Sequence, residues 1–214
     1  MLQRVLLTAS RLPLLFRGDV MRTSSLTALV VVAPALLLFL AFKVRSGMRL
    51  RIAALWAMLG VYGAWAAGLL FGESIIPSPE PHSFANIARW INLVPFATIG
   101  AQVRMGAGGA IVQIIGNLGL LLPLGLIGPI VMPSLRRPGR LLAVALGTSV
   151  VIELLQLIGT TARLFDRSVD IDDVILNVAG ALLGWLMWRA FAWLRARASR
   201  EASADEASVV KARP

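Results

Sequence analysis

The stretch that decides the fold is "VVIELLQLIGTTARLFDRSVDIDDVILNVAGALLGW", Val150–Trp185. It reads as two apolar helices joined by a charged loop, with Glu153 and Gln156 inside the first helix and Asn177 inside the second. A helix satisfies its own backbone polar groups, which is what a lipid environment demands. Polar side chains within such a helix must then face other helices or a wet cavity, because lipid offers them no partner. The stretch therefore predicts a membrane bundle that is polar inside at one level.

Composition settles the solvent. At 57% hydrophobic and 15% charged residues over 214 positions, the chain exceeds the apolar share of about 45 to 50% found in water-soluble domains. The formal net charge of +10 does not indicate nucleic acid, because the basic residues stand in short clusters between apolar runs rather than along one stripe. They read as topology signals. Cysteine is absent, which removes disulfides, thiolate nucleophiles and cysteine zinc sites together.

Working outward, five runs are long enough to cross a hydrocarbon core of about 30 Å at about 1.5 Å per residue. They are roughly Leu26–Phe42, Ile52–Gly72, Ile111–Pro133, Leu141–Ile158 and Val174–Trp193. The fold class is all-α, a polytopic transmembrane helix bundle of about five spans. Lys43, Arg45, Arg49 and Arg51 fill the first connection, Arg136, Arg137 and Arg140 the third, and Arg189, Arg195, Arg197 and Arg200 follow the last span. By the positive-inside rule these segments face the cytoplasm, with Trp188 and Trp193 in an interfacial belt. Segments 73–110 and 159–173 are then outside, the C-terminus is cytoplasmic and the N-terminus is external.

The N-terminal end departs from this pattern, since Arg4, Arg11, Arg17 and Arg22 precede the first span. Residues 1–25 read as an extension, too interrupted for a sixth span and without a signal-peptide cleavage site. Met21 competes with Met1 as the start. Residues 26–193 form the transmembrane domain, and residues 194–214, small, polar and basic, are expected to be a disordered cytoplasmic tail.

With spans assigned, the polar residues acquire depths. Asn117 lies six residues inside the third span, Glu153 six residues from the outer end of the fourth, and Asn177 a few residues inside the fifth. All three fall within roughly 5 to 10 Å of the external boundary. Gln113 and Asn117, Glu153 and Gln156, and Asp173 and Asn177 are each spaced to share a helical face. A carboxyl group here must face the bundle, so Glu153 either pairs with Arg163 or Arg167 or stays protonated and donates to Asn117 or Asn177. Interhelical hydrogen bonding without further function is the favoured account of Gln113 and Asn117, and a functional role that of Glu153 beside the acidic loop. The loop "RLFDRSVDIDD" adds Arg163, Asp166, Arg167, Asp170, Asp172 and Asp173 at the same mouth. If the fifth span begins near Ile171, Asp172 and Asp173 stand in its first turn, where carboxylates suit the helix dipole. That role explains one of them, leaving a polar-headgroup or cation site open; no EF-hand spacing is present, and neither metal nor cofactor is expected.

Gly180 and Gly184 form GxxxG, and Gly116, Gly119 and Gly125 line the third span, so close backbone contact is expected of each. Pro123 should kink the third span and free carbonyls that a cavity or water must satisfy. "WINLVPFATI", with Trp90, Pro95 and Phe96, suits an amphipathic or re-entrant segment resting at the bilayer surface.

"NLVPF" at Asn92–Phe96, "NLGLLLPLG" at Asn117–Gly125, "ELLQ" at Glu153–Gln156 and "DIDDVILNVAGALLG" at Asp170–Gly184 occur in that order. As a set over roughly residues 52–193 they resemble the VanZ-like family of bacterial integral membrane proteins. The resemblance carries over Asn117, Pro123, Gly125, Glu153, Gln156, Arg163, Asp170, Asp173, Asn177 and Gly180 as family positions. It implies a multi-pass protein of the bacterial cell membrane whose namesake raises resistance to the lipoglycopeptide teicoplanin.

Two classes of function remain. One is a cell-envelope protein that holds membrane lipid, a lipid-linked cell-wall precursor or the lipid tail of an antibiotic in an outer-leaflet cavity. The other is an intramembrane enzyme with Glu153 or a loop aspartate as acid or base on a lipid-linked substrate. HExxH and P-loop motifs are missing, and a single histidine, His82, cannot supply a two-histidine phosphatase site. A transporter is less well supported, since the spans show no internal repeat.

Overall fold

The computed structural model describes residues 33–34, 36–71, 88, 90–162 and 168–211. The N-terminal extension, the start at Met21 and part of the first expected span lie outside them, as do Arg163, Asp166 and Arg167. The chain forms an all-α bundle. Helix α1, helical at 33–34 and 36–45, ends at Gly47, whose φ of 89° closes the turn into α2 (Leu50–Phe71). Strand β1 (Ile91–Asn92) and α3 (Ala97–Met105) precede α4 (Ala107–Val131). A 3-10 turn (Pro133–Arg136) leads to α5 (Pro138–Thr161), and β2 (Val169–Asp170) to α6 (Ile171–Lys211). Four stretches among the described residues are long and apolar enough to span a membrane: Leu50–Gly68, Gly108–Val131, Pro138–Thr161 and Ile171–Ser203.

Helix α5 shows why lipid is the solvent. Its buried residues are Leu141, Ala145, Ser149, Glu153, Gln156, Gly159 and Thr160, a single face at three- and four-residue steps that carries most of its polar groups. Its large apolar residues, Val144, Leu146, Val150, Val151, Leu154, Leu155 and Ile158, point outward. In water this arrangement would be inverted; against lipid it leaves no polar side chain of these unprotected.

Helices α4 and α6 pack backbone to backbone. A Cβ on Gly180 would collide with the Leu118 carbonyl, one on Gly184 with that of Leu122, and one on Gly125 with that of Ala181. The expected glycine contact is therefore made at those three positions. It is not made at Gly116 and Gly119, where a Cβ would meet open space. Two apolar clusters complete the core, Leu121 with Ala145 and Ala181, and Leu135 with Leu141 and Trp185.

The carbonyl freed by Pro123 is satisfied by a side chain rather than by water or a cavity. Proline at 123 has no N–H for the carbonyl of Gly119, and the Tyr62 hydroxyl on α2 donates to that oxygen at 2.7 Å. Pro133 likewise leaves the Pro129 carbonyl without a helical donor, and Arg136 Nε–H supplies it at 3.1 Å.

The C-terminal tail departs from its expectation. Helix α6 runs unbroken for 41 residues to Lys211, a length of about 61 Å, or twice the hydrocarbon core. Composition reads this tail as disordered because it is small and polar, yet "RARASREASADEA" is rich in alanine, arginine and glutamate, strong helix formers. Arg197 and Glu201 add an exposed i, i+4 pair at 2.8 Å.

Candidate functional site

The polar residues gather at one end of the bundle, where α4 begins, α5 ends and α6 begins. Two short strands tie this end together: β1 and β2 pair in parallel, Ile91 beside Val169 and Asn92 beside Asp170. This brings the "NLVPF" turn against the "DIDD" run across nearly 80 residues of sequence.

Helix α3 cannot cap itself. Its N-cap residue, Phe96, has a left-handed backbone at φ 63° and no side-chain acceptor of its own. The acceptor is Asp172, which is fully buried. Its Oδ1 receives the Phe96 N–H, and its Oδ2 receives Thr98 N–H and Ile99 N–H, each at 3.2 Å. A carboxylate here meets both the free N–H groups and the positive end of the helix dipole. Two further donors stay within the turn: Val94 N–H goes to Asn92 Oδ1 at 3.1 Å and Ala97 N–H to the Val94 carbonyl at 3.2 Å, while Pro95 has none to place.

Asp170 performs the same service for α6. Its Oδ1 accepts Asp172 N–H at 3.0 Å, an N-cap bond to the second helical residue, and also Asn92 Nδ2–H at 3.3 Å. Asn92 donates as well to Thr98 Oγ1 at 2.8 Å. The Asp170 N–H in turn donates to Glu153 Oε2 at 3.1 Å. Glu153, Asp170 and Asp172 thus form a buried series that links α5 to α6 and α6 to α3, each carboxylate receiving a backbone donor from the next segment.

A second cluster lies on the α4 side of α6, where Asp173 Oδ1 accepts both Gln113 Nε2–H, at 2.8 Å, and Asn117 Nδ2–H. On the α5 side, Asn177 Nδ2–H donates to Ser149 Oγ at 2.9 Å. The polar residues expected to share a layer lie together at this end, while the ion pair expected of Glu153 with Arg163 or Arg167 falls outside the described residues. Asn117 is bound to Asp173, Asn177 to Ser149, and Glu153 receives a main-chain N–H. Sequence reasoning passed over Asp172 as a site position, and over Ser149, Thr160, Asn92 and Tyr62. Pro95 shapes the turn, while Pro123, Gly125, Gly180 and Gly184 shape α4 and its contact with α6.

Some capacity is unused. Asn177 Oδ1 and Gln113 Oε1 are buried without a hydrogen-bond partner. Such groups cost about 1–3 kcal/mol each when left unfilled. Gln156 and Asn177 flank Glu153 and Ser149 at the α5–α6 seam, a place able to hold water or the polar group of a ligand. Among the described residues no group of three or more His, Asp or Glu converges as metal ligands.

A protein-family model described as VanZ/LLP1 matches residues 59–193. The chain belongs to the VanZ/LLP1 family. No curated protein and no solved structure matches it. The VanZ/LLP1 region begins within α2 and ends within α6, so it takes in Tyr62, the "NLVPF" turn and the whole polar layer, and leaves out α1 and the helical tail.

Proposed function

We propose that this VanZ/LLP1 protein sits in the bacterial cell membrane with its polar layer in the outer leaflet, where it receives the headgroup of an amphipathic or lipid-linked molecule. The observation that carries the reading is the α5–α6 seam. Asn177 Oδ1 keeps unfilled hydrogen-bonding capacity and Gln156 is buried beside Glu153, inside a bundle whose outer face is apolar. The orientation follows from charge: Arg49, Arg51, Arg136, Arg137 and Arg140 occupy the opposite end and face the cytoplasm. A cell-wall precursor on a lipid carrier and a glycopeptide with an acyl tail share the required chemistry, a polar head on an apolar chain that reaches the outer surface. Family membership supports an effect on susceptibility to lipoglycopeptides such as teicoplanin.

Burial of Glu153 supports a second reading, an enzyme in which this carboxyl group acts as acid or base on a lipid-linked substrate. The binding reading is preferred because it needs no nucleophile.

The test is tail dependence. Overexpression in a susceptible bacterium should raise tolerance to a lipid-bearing glycopeptide more than to its tail-free counterpart, and Asn177→Ala or Asp173→Ala should abolish the difference at equal protein level. Equal protection against both drugs overturns tail recognition, and protection against neither removes the antibiotic from the reading.

A further inference from the structure

At the end of the bundle opposite the polar layer, four arginines gather about an aromatic and backbone frame that holds two of them, Arg136 and Arg189. Trp185 is its centre. The indole is 5% exposed, packed with Leu135 and Leu141, and its Nε1–H donates to the Arg136 carbonyl at 3.2 Å. The guanidinium of Arg189 lies over the same indole, 5.3 Å from the ring centroid, and Trp188 leans on it with centroids 6.4 Å apart. Trp185 thus fixes the main chain of Arg136 on one side and the side chain of Arg189 on the other.

Arg136 is held a second time, by its Nε–H on the Pro129 carbonyl. That bond uses one of five guanidinium donors, and the Nη groups have no protein partner among the described residues. Arg137 and Arg140 follow directly, as N-cap and third residue of α5, and both are exposed. Neither the 3-10 turn nor the first turn of α5 contains an acidic residue. None of the four arginines has an ion-pair partner among the described residues. Arg197 on the same helix shows the contrast, since it is paired with Glu201.

Four guanidinium groups at a membrane boundary, two of them held by ring and backbone contacts and all left without acids among the described residues, call for an anionic partner. Just toward the bundle centre, Ile130 on α4 and Leu183 and Leu186 on α6 are exposed apolar groups, which suit acyl chains. The occupant must therefore have a negatively charged head directly above hydrocarbon. We propose that Arg136, Arg137, Arg140 and Arg189, ordered around Trp185, form a binding site for the phosphate headgroup of an anionic phospholipid. A zwitterionic phospholipid is a poor occupant, because it brings its own ammonium group into a cluster that is already cationic. Arginine suits the role because its planar fork can hold phosphate oxygens in pairs.

The experiment uses the full chain, purified in detergent and offered mixed micelles of phosphatidylglycerol and phosphatidylcholine, with retained lipid counted by native mass spectrometry. The natural sequence should retain phosphatidylglycerol over phosphatidylcholine by about tenfold, the scale expected for two or more guanidinium–headgroup contacts. Arg136→Gln combined with Arg189→Gln should remove that preference. Arg195→Gln combined with Arg197→Gln removes the same charge farther along α6 and should keep it. Trp185→Phe leaves every arginine in place but loses the indole N–H, and should lower retention several-fold with helicity unchanged. Inorganic phosphate at millimolar concentration should fail to displace the lipid, and displacement would overturn the phospholipid assignment in favour of a free-anion site. Equal loss in the two double variants would show diffuse attraction and overturn the site, as would full retention in the Arg136 and Arg189 variant.

Discussion

The Tyr62 hydroxyl donates to the Gly119 carbonyl at 2.7 Å, and Gly119 is the residue whose helical donor Pro123 removes. The three positions act as one unit: a proline that breaks the α4 ladder, a carbonyl it exposes, and a phenol from α2 that closes the gap. Tyr62→Phe leaves that carbonyl unpaired in a membrane interior and should cost about 1–3 kcal/mol. Pro123→Ala restores an N–H four residues on, so it should rescue part of the loss. A double-mutant cycle on thermal stability in detergent measures the coupling, and strictly additive effects would refute the link.

Asp172 gives a prediction of a different kind, because all its acceptor capacity goes to one turn. Asparagine keeps one oxygen and turns an amide donor toward N–H groups, so Asp172→Asn should lose about 1.5–3 kcal/mol. The damage should be local first. Hydrogen exchange of the Phe96, Thr98 and Ile99 amides should quicken while the α4–α6 contact stays protected. Unchanged protection at those three amides would mean that water or another group caps α3.

These residues also mark how far the sequence could be read. The spans, the polar layer and the contacts of Gly125, Gly180 and Gly184 were legible because each is a pattern along one helix, repeating at three or four residues. The same pattern overreached at Gly116 and Gly119, since glycine spacing does not say which helix face has a neighbour. The Asp172 bond to Phe96 spans 76 residues and the Tyr62 bond to Gly119 spans 57, and no local period encodes either. A signal did exist in "NLVPF", a turn with a proline and no side-chain acceptor at the start of the helix it leads into, and in "DIDD", with two carboxylates more than a single cap requires. Joining them needed the strand pair of Asn92 with Asp170, which four residues in all create.

Orientation can be measured because the chain has no cysteine to remove. Single cysteines at Ser78 and Ser168 should react with an impermeant thiol reagent in intact cells, and one at Ser134 should react only after lysis. Reversed labelling would place the polar layer in the inner leaflet, and the outer-leaflet ligand would have to be abandoned with it.

Glu153 separates the structural and chemical roles of the polar layer. Its Oε2 accepts the Asp170 N–H at 3.1 Å, and a glutamine can keep that bond through its amide oxygen while losing both charge and acidic proton. Glu153→Gln should therefore preserve folding, judged by yield and thermal stability within about 1 kcal/mol of the natural protein. Glu153→Ala loses the acceptor as well and should be destabilised by more. If the carboxyl group meets a ligand, the tail-dependent drug tolerance falls in the glutamine variant at unchanged protein level, and that is the expected outcome. Full tolerance in Glu153→Gln would assign the residue to the link between α5 and α6 alone. It would also remove Glu153 as the acid or base of the enzyme reading, because an amide can neither take nor give the proton that acid–base chemistry requires.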